Sequence, residues 1–66
     1  MKSTIRFGVT HGMRGFFAIM YDDEGPINSG IGSYSSPAEA GVEAAQWAES
    51  EGYPIQAEQL RAKYTT

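Results

Sequence analysis

Residues 36–52 read SPAEAGVEAAQWAESEG, and this stretch holds both a helix start and a helix stop. Ser36 is a favourable N-cap residue, and Pro37 suits the first helical position. Glu39 follows the cap by three residues, which is the spacing of a capping box. Gly52 is a natural residue just beyond a helix C-terminus. The sequence therefore predicts a helix that begins at Pro37 and ends immediately before Gly52.

The small residues of this helix gather on one side of a helical projection. They are Ala38, Gly41, Ala44, Ala45 and Ala48, and the opposite side carries Glu39, Glu43, Gln46 and Ser50. Small side chains would let the helix lie close on a sheet, with its polar side in solvent and Trp47 packed along one edge.

Three short segments before the helix have strand patterns. Residues 4–10, TIRFGVT, alternate between apolar and polar side chains, which is typical of a half-buried strand. Residues 16–21, FFAIMY, are apolar and aromatic throughout, which favours a central strand. Residues 27–34, INSGIGSY, predict a third strand in which Gly30 and Gly32 mark a bulge or a close approach by another backbone.

The tail, residues 54–66, has Ala57, Leu60 and Tyr64 at helical spacing, which predicts a short second helix. The whole chain, 1–66, is then a single domain of the α+β class. We predict a three-stranded antiparallel meander covered on one face by a helix, in the order β-β-β-α. Because FFAIMY is apolar on both faces, the sequence leaves open which face points outward.

Composition excludes several classes of protein. The 66 residues contain no cysteine, so disulfides and cysteine-based zinc sites are excluded. No apolar run approaches the roughly 20 residues of a membrane span, and the N-terminus lacks the apolar core of a signal peptide. We expect a cytoplasmic protein that does not enter membranes.

Motifs for catalysis and ion binding are weak. His11 is the only histidine and has no acid beside it, and the serines occupy turn and cap positions. Residues 22–33, DDEGPINSGIGS, lack the alternating ligands and late glutamate of a calcium loop. GIGS at 30–33 lacks the third glycine of a dinucleotide fingerprint. We therefore predict no enzyme activity, no cofactor and no metal site, and a weak divalent-ion site at the acidic run 22–24 is the alternative.

Charge is distributed unevenly along the chain. The formal net charge is −3. The cations lie near the two ends, at Lys2, Arg6, Arg14, Arg61 and Lys63. The stretch from Asp22 to Glu58 has no lysine or arginine and contains all eight acids. Direct nucleic-acid binding, which needs cations that displace counterions from phosphates, is not expected.

Chain direction predicts where the acids meet. In a meander the DDEGP turn lies at the end opposite HGMRG, and a helix about 22 Å long would run back over strands about 23 Å long. The helix C-terminus should then finish near the DDEGP turn, with His11 and Arg14 at the far end. Five acids would then meet at the DDEGP end, and Glu39 and Glu43 from the outer face of the helix complete the predicted partner-binding set. The set is Asp22, Asp23, Glu24, Glu39, Glu43, Glu49 and Glu51.

The whole chain resembles the small, acidic, single-domain anti-CRISPR proteins of phages and mobile elements. The resemblance rests on size, acid balance, the β-β-β-α pattern, DDE at 22–24, and Glu39, Glu43, Glu49 and Glu51. It implies a stoichiometric inhibitor that imitates the charge of DNA and blocks target DNA binding to a type I Cascade complex. The partner would be a basic nucleic-acid-binding protein such as a Cascade subunit, which the sequence does not identify further.

A second resemblance implies an alternative function. GFFAIMYDDEG followed by SGIGSYSSPAEAGVEAAQWAES is similar to the N-terminal domain of HicB-type antitoxins. There, a strand with a Phe-x-Ala-like start leads through a G-x-S/T-x-x-E-A passage into an alanine-rich helix, which residues 15–18, Gly32 and 36–40 match. The usual Pro-x-x-Pro-Gly passage is missing and no DNA-binding tail follows. The implied role is to neutralise a small ribonuclease toxin.

A third alternative is a structural or interaction module whose acids only keep it soluble. Aromatic residues on the uncovered sheet face would favour a protein–protein surface, so a monomer or a weak homodimer is expected.

Overall fold

A computed structural model describes residues 4–64 and contains three strands followed by two helices. The elements are β1 (Arg6–Gly12), β2 (Gly15–Asp22), β3 (Gly25–Ser29), α1 (Pro37–Ser50) and α2 (Pro54–Tyr64). The strands form one antiparallel sheet in the order β1-β2-β3. The predicted α+β meander is confirmed, and the second helix is a full eleven residues long. Lys2 lies outside the described residues.

Two-residue turns close the two hairpins at opposite ends of the sheet. Gly12 pairs with Gly15 around the first turn, and Asp22 pairs with Gly25 around the second. Gly15 and Gly25 have φ values of 119° and 124°, which side-chain-bearing residues rarely adopt. At Gly15 an added Cβ would also collide with the carbonyl of Tyr34.

The third strand is shorter than the sequence predicts, because it ends at Ser29 and not at Tyr34. Gly30 still donates its N–H to the Ala18 carbonyl at 2.8 Å, and pairing with β2 resumes where Tyr34 exchanges two hydrogen bonds with Phe16. The chain between them loops away from the sheet. The close neighbour of Gly30 is a side chain and not the predicted second backbone, because an added Cβ there would meet the Glu43 carboxylate of α1.

The start of α1 lies where the sequence predicts it, but only one of the two hydrogen bonds of a capping box is present within residues 4–64. Ser36 is the N-cap in extended conformation, its Oγ accepts from the Glu39 N–H at 3.4 Å, and Pro37 is the first helical residue. This bond satisfies one of the unpaired donors of the first turn.

The end of α1 is a Schellman motif. Gly52 has φ of 93° and donates its N–H to the Glu49 carbonyl at 3.1 Å, while Tyr53 donates to the Ala48 carbonyl at 2.8 Å. The helix ends at Ser50 with Glu51 as its C-cap, so α2 can begin within a few residues and fold back along α1.

The core lies between the sheet and the two helices. It contains Phe7, Ala18, Ala44, Ala45, Ala48, Ala57 and Leu60. The α1 residues buried in full are Ala40, Gly41, Ala44, Ala45 and Ala48. Ala38, expected on this side, is exposed, because the buried stripe follows positions four apart from Ala40.

Packing decides which face of the sheet is covered. Ala18 and Met20 pack into the core with Phe7 and Val9 of β1. Side chains alternate along a strand, so Phe17, Ile19 and Tyr21 lie on the uncovered face. The uncovered face is therefore aromatic but only half-exposed.

The two helices meet at a glycine. A Cβ added to Gly41 of α1 would collide with the Cβ and ring of Tyr64 at the end of α2. Glycine therefore permits a close helix crossing that alanine would disturb.

The side chain of Gln56 joins the first strand to the last helix. Its Oε1 accepts the Phe7 N–H at 3.0 Å, and its Nε2 donates to the Ile5 carbonyl at 2.6 Å. A carboxamide thus occupies the place of a neighbouring strand at one end of the β1 edge. We refer to these two hydrogen bonds as the Gln56 clasp.

Candidate functional site

Contacts at both ends of α1 set its direction relative to the sheet: Tyr34, just before the helix, pairs with Phe16 at the start of β2, whereas Trp47 near the helix end lies beside Phe7. Trp47 packs edge-on against Phe7 with ring centroids 5.3 Å apart, and Phe7 lies opposite Met20. From Trp47 to Glu51 the helix rises about 6 Å, and from Met20 to Asp22 the strand advances about 7 Å. The last turn of α1 therefore lies at the same end of the molecule as the β2–β3 turn. We call Asp22, Asp23, Glu24, Glu49 and Glu51 the acidic end.

The turn residues of the acidic end have different roles. Asp22 is half-buried, and its Oδ1 accepts the Glu24 N–H at 2.9 Å, which stabilises the turn. Asp23 and Glu24 are exposed side chains. The turn therefore holds two carboxylates in solvent and uses a third to fix its own shape.

The helix residues of the acidic end also differ. Glu49 forms an ion pair with Arg61 of α2, with both side chains about half exposed (56% and 48%). Glu51 is exposed at the helix C-cap. The sequence alone does not predict the Arg61 contact, because the contact depends on α2 folding back on α1 and the two residues are twelve positions apart.

The other two predicted acids, Glu39 and Glu43, lie nearer the start of α1. Glu43 is half-buried and faces the chain after β3, which corrects its predicted place on the solvent side of the helix. Its Oε1 accepts a hydrogen bond from the Tyr34 hydroxyl at 2.8 Å. This bond, with partial burial and the negative charges of Glu43 and Glu39, raises the pKa of Tyr34 above its ordinary value of 10.0. Glu39 is exposed in the first helical turn.

Positive charge also reaches the acidic end. Arg6 is exposed on β1 directly opposite Tyr21, the neighbour of Asp22. Arg61 contributes through its ion pair, whereas Arg14 lies in the turn at the far end, as predicted. The acidic end is thus a rim of exposed carboxylates with two arginines near it.

His11 is exposed and stacks on Phe16 with ring centroids 4.4 Å apart. Within residues 4–64, no three histidine or acidic side chains are grouped so that they could hold a metal ion. No helix in that range is long and apolar enough to cross a membrane.

Comparison of the chain with protein-family models, with curated proteins and with solved structures finds no match.

Proposed function

We propose that the chain is a stoichiometric inhibitor that binds a basic nucleic-acid-binding protein through its acidic end. One observation carries the proposal: Asp23, Glu24 and Glu51 are exposed at the same end, and none has a side-chain partner within residues 4–64. Three carboxylates without an internal role are available to cations on another protein. The turn and the helix cap that carry them are fixed by backbone hydrogen bonds.

The mechanism follows from charge complementarity. A groove that binds DNA presents lysine and arginine side chains to phosphates, and a rim of carboxylates can occupy the same cations. Occupying them blocks the nucleic acid without any covalent step. Complementary charge mainly raises the association rate and the specificity, and its effect weakens with salt. The resemblance to acidic anti-CRISPR proteins makes a type I Cascade complex the first partner to test.

Charge reversal tests the proposal. In the triple variant Asp23→Lys, Glu24→Lys, Glu51→Lys, we expect association with a purified type I Cascade complex to slow about tenfold or more at low salt. Displacement of labelled target DNA should weaken in parallel. Glu58→Lys is the control, because Glu58 is an exposed acid outside the predicted set.

Three results would separate the alternatives. Equal inhibition by the triple variant and the unchanged chain would overturn the charge mechanism. Loss of binding with a lowered melting temperature would show only unfolding, so the melting temperature of each variant is measured first. Binding that persists at 1 M salt would indicate an interaction module in which the acids act as solubilising groups.

A HicB-like antitoxin domain is the second candidate, favoured by the placement of the resembling residues. The Phe-x-Ala-like start lies at the beginning of β2, and residues 36–40 form the N-cap and first turn of α1. Strand, connecting passage and helix thus follow the order that the resemblance implies. Co-expression with a small ribonuclease toxin should then restore growth, and unchanged toxicity with the cognate toxin would reject this candidate.

A further inference from the structure

Beyond the Gln56 clasp, the edge of β1 has backbone groups that no other part of the described chain uses. Phe7 directs its N–H to Gln56 and away from β2. Because the direction of the backbone groups alternates along an antiparallel strand, every second residue from Phe7 also directs its N–H and C=O away from β2. Val9 and His11 therefore direct their N–H and C=O groups outward. No backbone or side-chain partner meets these groups within residues 4–64.

A groove of about 420 Å³ runs beside this open edge. One wall of the groove is formed by residues 7–10, which are four consecutive positions of β1. Consecutive side chains of a strand point to opposite faces of the sheet, so a cavity that all four residues line must lie beside the edge of the strand. The other wall is Leu60, Lys63 and Tyr64 from the second half of α2. The groove continues over Gly8 to Tyr21 on the uncovered sheet face.

We propose that this edge is a docking site for an extended peptide strand of a partner protein that carries acidic residues between apolar ones. The partner strand would add to β1 by backbone hydrogen bonds at Val9 and His11. Its apolar side chains would enter the groove beside Leu60 and Tyr64. This is strand addition to a sheet edge, with pockets for alternate side chains.

Cations on β1 and α2 favour an acidic occupant at the part of the groove beside Val9 and His11. Between Thr4 and Arg14 the chain carries Arg6 and Arg14 and no acid. Lys63 is exposed on the α2 wall, with its Nζ 5.4 Å from the Tyr64 ring centroid. An acidic strand complements these cations, whereas a second copy pairing its own β1 would place like charges together.

The Gln56 clasp sets the length of the site. It satisfies the β1 edge at Ile5 and Phe7, so an added strand begins beyond Phe7. The turn after Gly12 closes the other end. About four residues of partner strand fit between these limits, which predicts a short linear segment as the ligand. The site shares no residue with the acidic end, so it stands independently of the proposed function.

The test uses the full chain and a defined peptide, acetyl-Glu-Val-Glu-Val-Glu-Val-amide. Amide NMR signals of Val9 and His11 should shift on titration, and their hydrogen exchange should slow at least tenfold. The same peptide with Lys in place of Glu should bind at least tenfold more weakly. A peptide N-methylated at alternate residues should not bind, because it lacks the required donors.

Two variants keep the proposal falsifiable. Lys63→Glu should weaken binding of the acidic peptide at least fivefold, and Arg14→Glu, in the turn that closes the site, should weaken it as well. Val9→Pro removes one outward N–H without touching the β2 ladder and should also abolish binding. Equal binding of the Glu and Lys peptides, or shifts confined to Phe17 and Ile19, would overturn the proposal. Shifts of Val9 and His11 that depend on protein concentration without peptide would overturn it too, because the occupant would be a second copy.

Discussion

The helix crossing and the acidic end use side chains in opposite ways. At the crossing, Gly41 and Tyr64 touch so closely that even one added carbon collides. At the acidic end, Asp23, Glu24 and Glu51 project into solvent. Stability should therefore respond strongly to changes at the crossing and weakly to changes at the acidic end. Because few residues serve both, the fold and the proposed function can be perturbed separately.

The largest effect is expected at the crossing. Gly41→Leu forces a branched side chain into the space of the Tyr64 ring, and overpacking of this kind costs about 1–3 kcal/mol. Urea unfolding measures the change in unfolding free energy. The control is Val42→Leu, the neighbouring exposed position, which should change stability by less than about 0.5 kcal/mol. Equal losses in the two variants would contradict the close crossing.

A second loss of stability is expected at the edge of the sheet, where the Gln56 clasp holds β1. Gln56→Ala leaves the Phe7 N–H and the Ile5 carbonyl without partners in a partly buried place, which costs about 1–3 kcal/mol. Hydrogen exchange of the Phe7 amide should accelerate in parallel. Gln59→Ala is the matched control, since Gln59 is exposed on the same helix. A Phe7 amide that exchanges as slowly in Gln56→Ala as in the unchanged chain would argue against the clasp.

Sequence reasoning reached the fold because its signals are local. The N-cap at Ser36, the stop at Gly52 and the two glycine turns depend on backbone conformations that few residues adopt. Strand alternation alone could not choose the covered face of FFAIMY. That choice depends on packing against α1, which places Ala18 in the core.

The candidate site was predicted less completely. The direction of α1 followed from the meander, so the shared location of the two acidic segments could be anticipated. The contacts of Glu43 and Glu49 could not, because Tyr34 and Arg61 reach them only after β3 ends early and α2 folds back. The strand predicted over 27–34 includes Tyr34, and a regular strand there predicts no partner for its hydroxyl.

A third prediction concerns pH. The Tyr34 phenol has a raised pKa in the folded state, so its contribution to stability is present below pH 10.0 and is lost as pH rises through the higher folded value. The unfolding free energy should fall above pH 10.0 more steeply in the unchanged chain than in Tyr34→Phe. Glu43→Gln should flatten the curve in the same way. Identical curves for all three proteins would exclude the Tyr34–Glu43 bond as the cause.

The smallest effect is expected within the acidic end itself. Glu49→Gln removes a half-exposed ion pair with Arg61 and should cost at most about 1 kcal/mol. The cost should disappear near 1 M salt, where the screening length is about 3 Å. Glu51→Gln is the control, because Glu51 has no internal ion pair within residues 4–64. A larger loss of unfolding free energy that salt does not reduce would show that Glu49 contributes to stability as the residues of the helix crossing do, and not as an exposed residue of the acidic end.

The Gln56 clasp also has a consequence for the order of folding. Each of its two hydrogen bonds joins residues that are far apart in the sequence, by 49 positions in one case and 51 in the other. The two hairpins and the helix pair, by contrast, form between segments that follow one another in the chain. Loop-closure entropy opposes such distant contacts until the intervening chain is compact. We expect the clasp to form after the folding transition state. It would then slow unfolding and leave the folding rate almost unchanged.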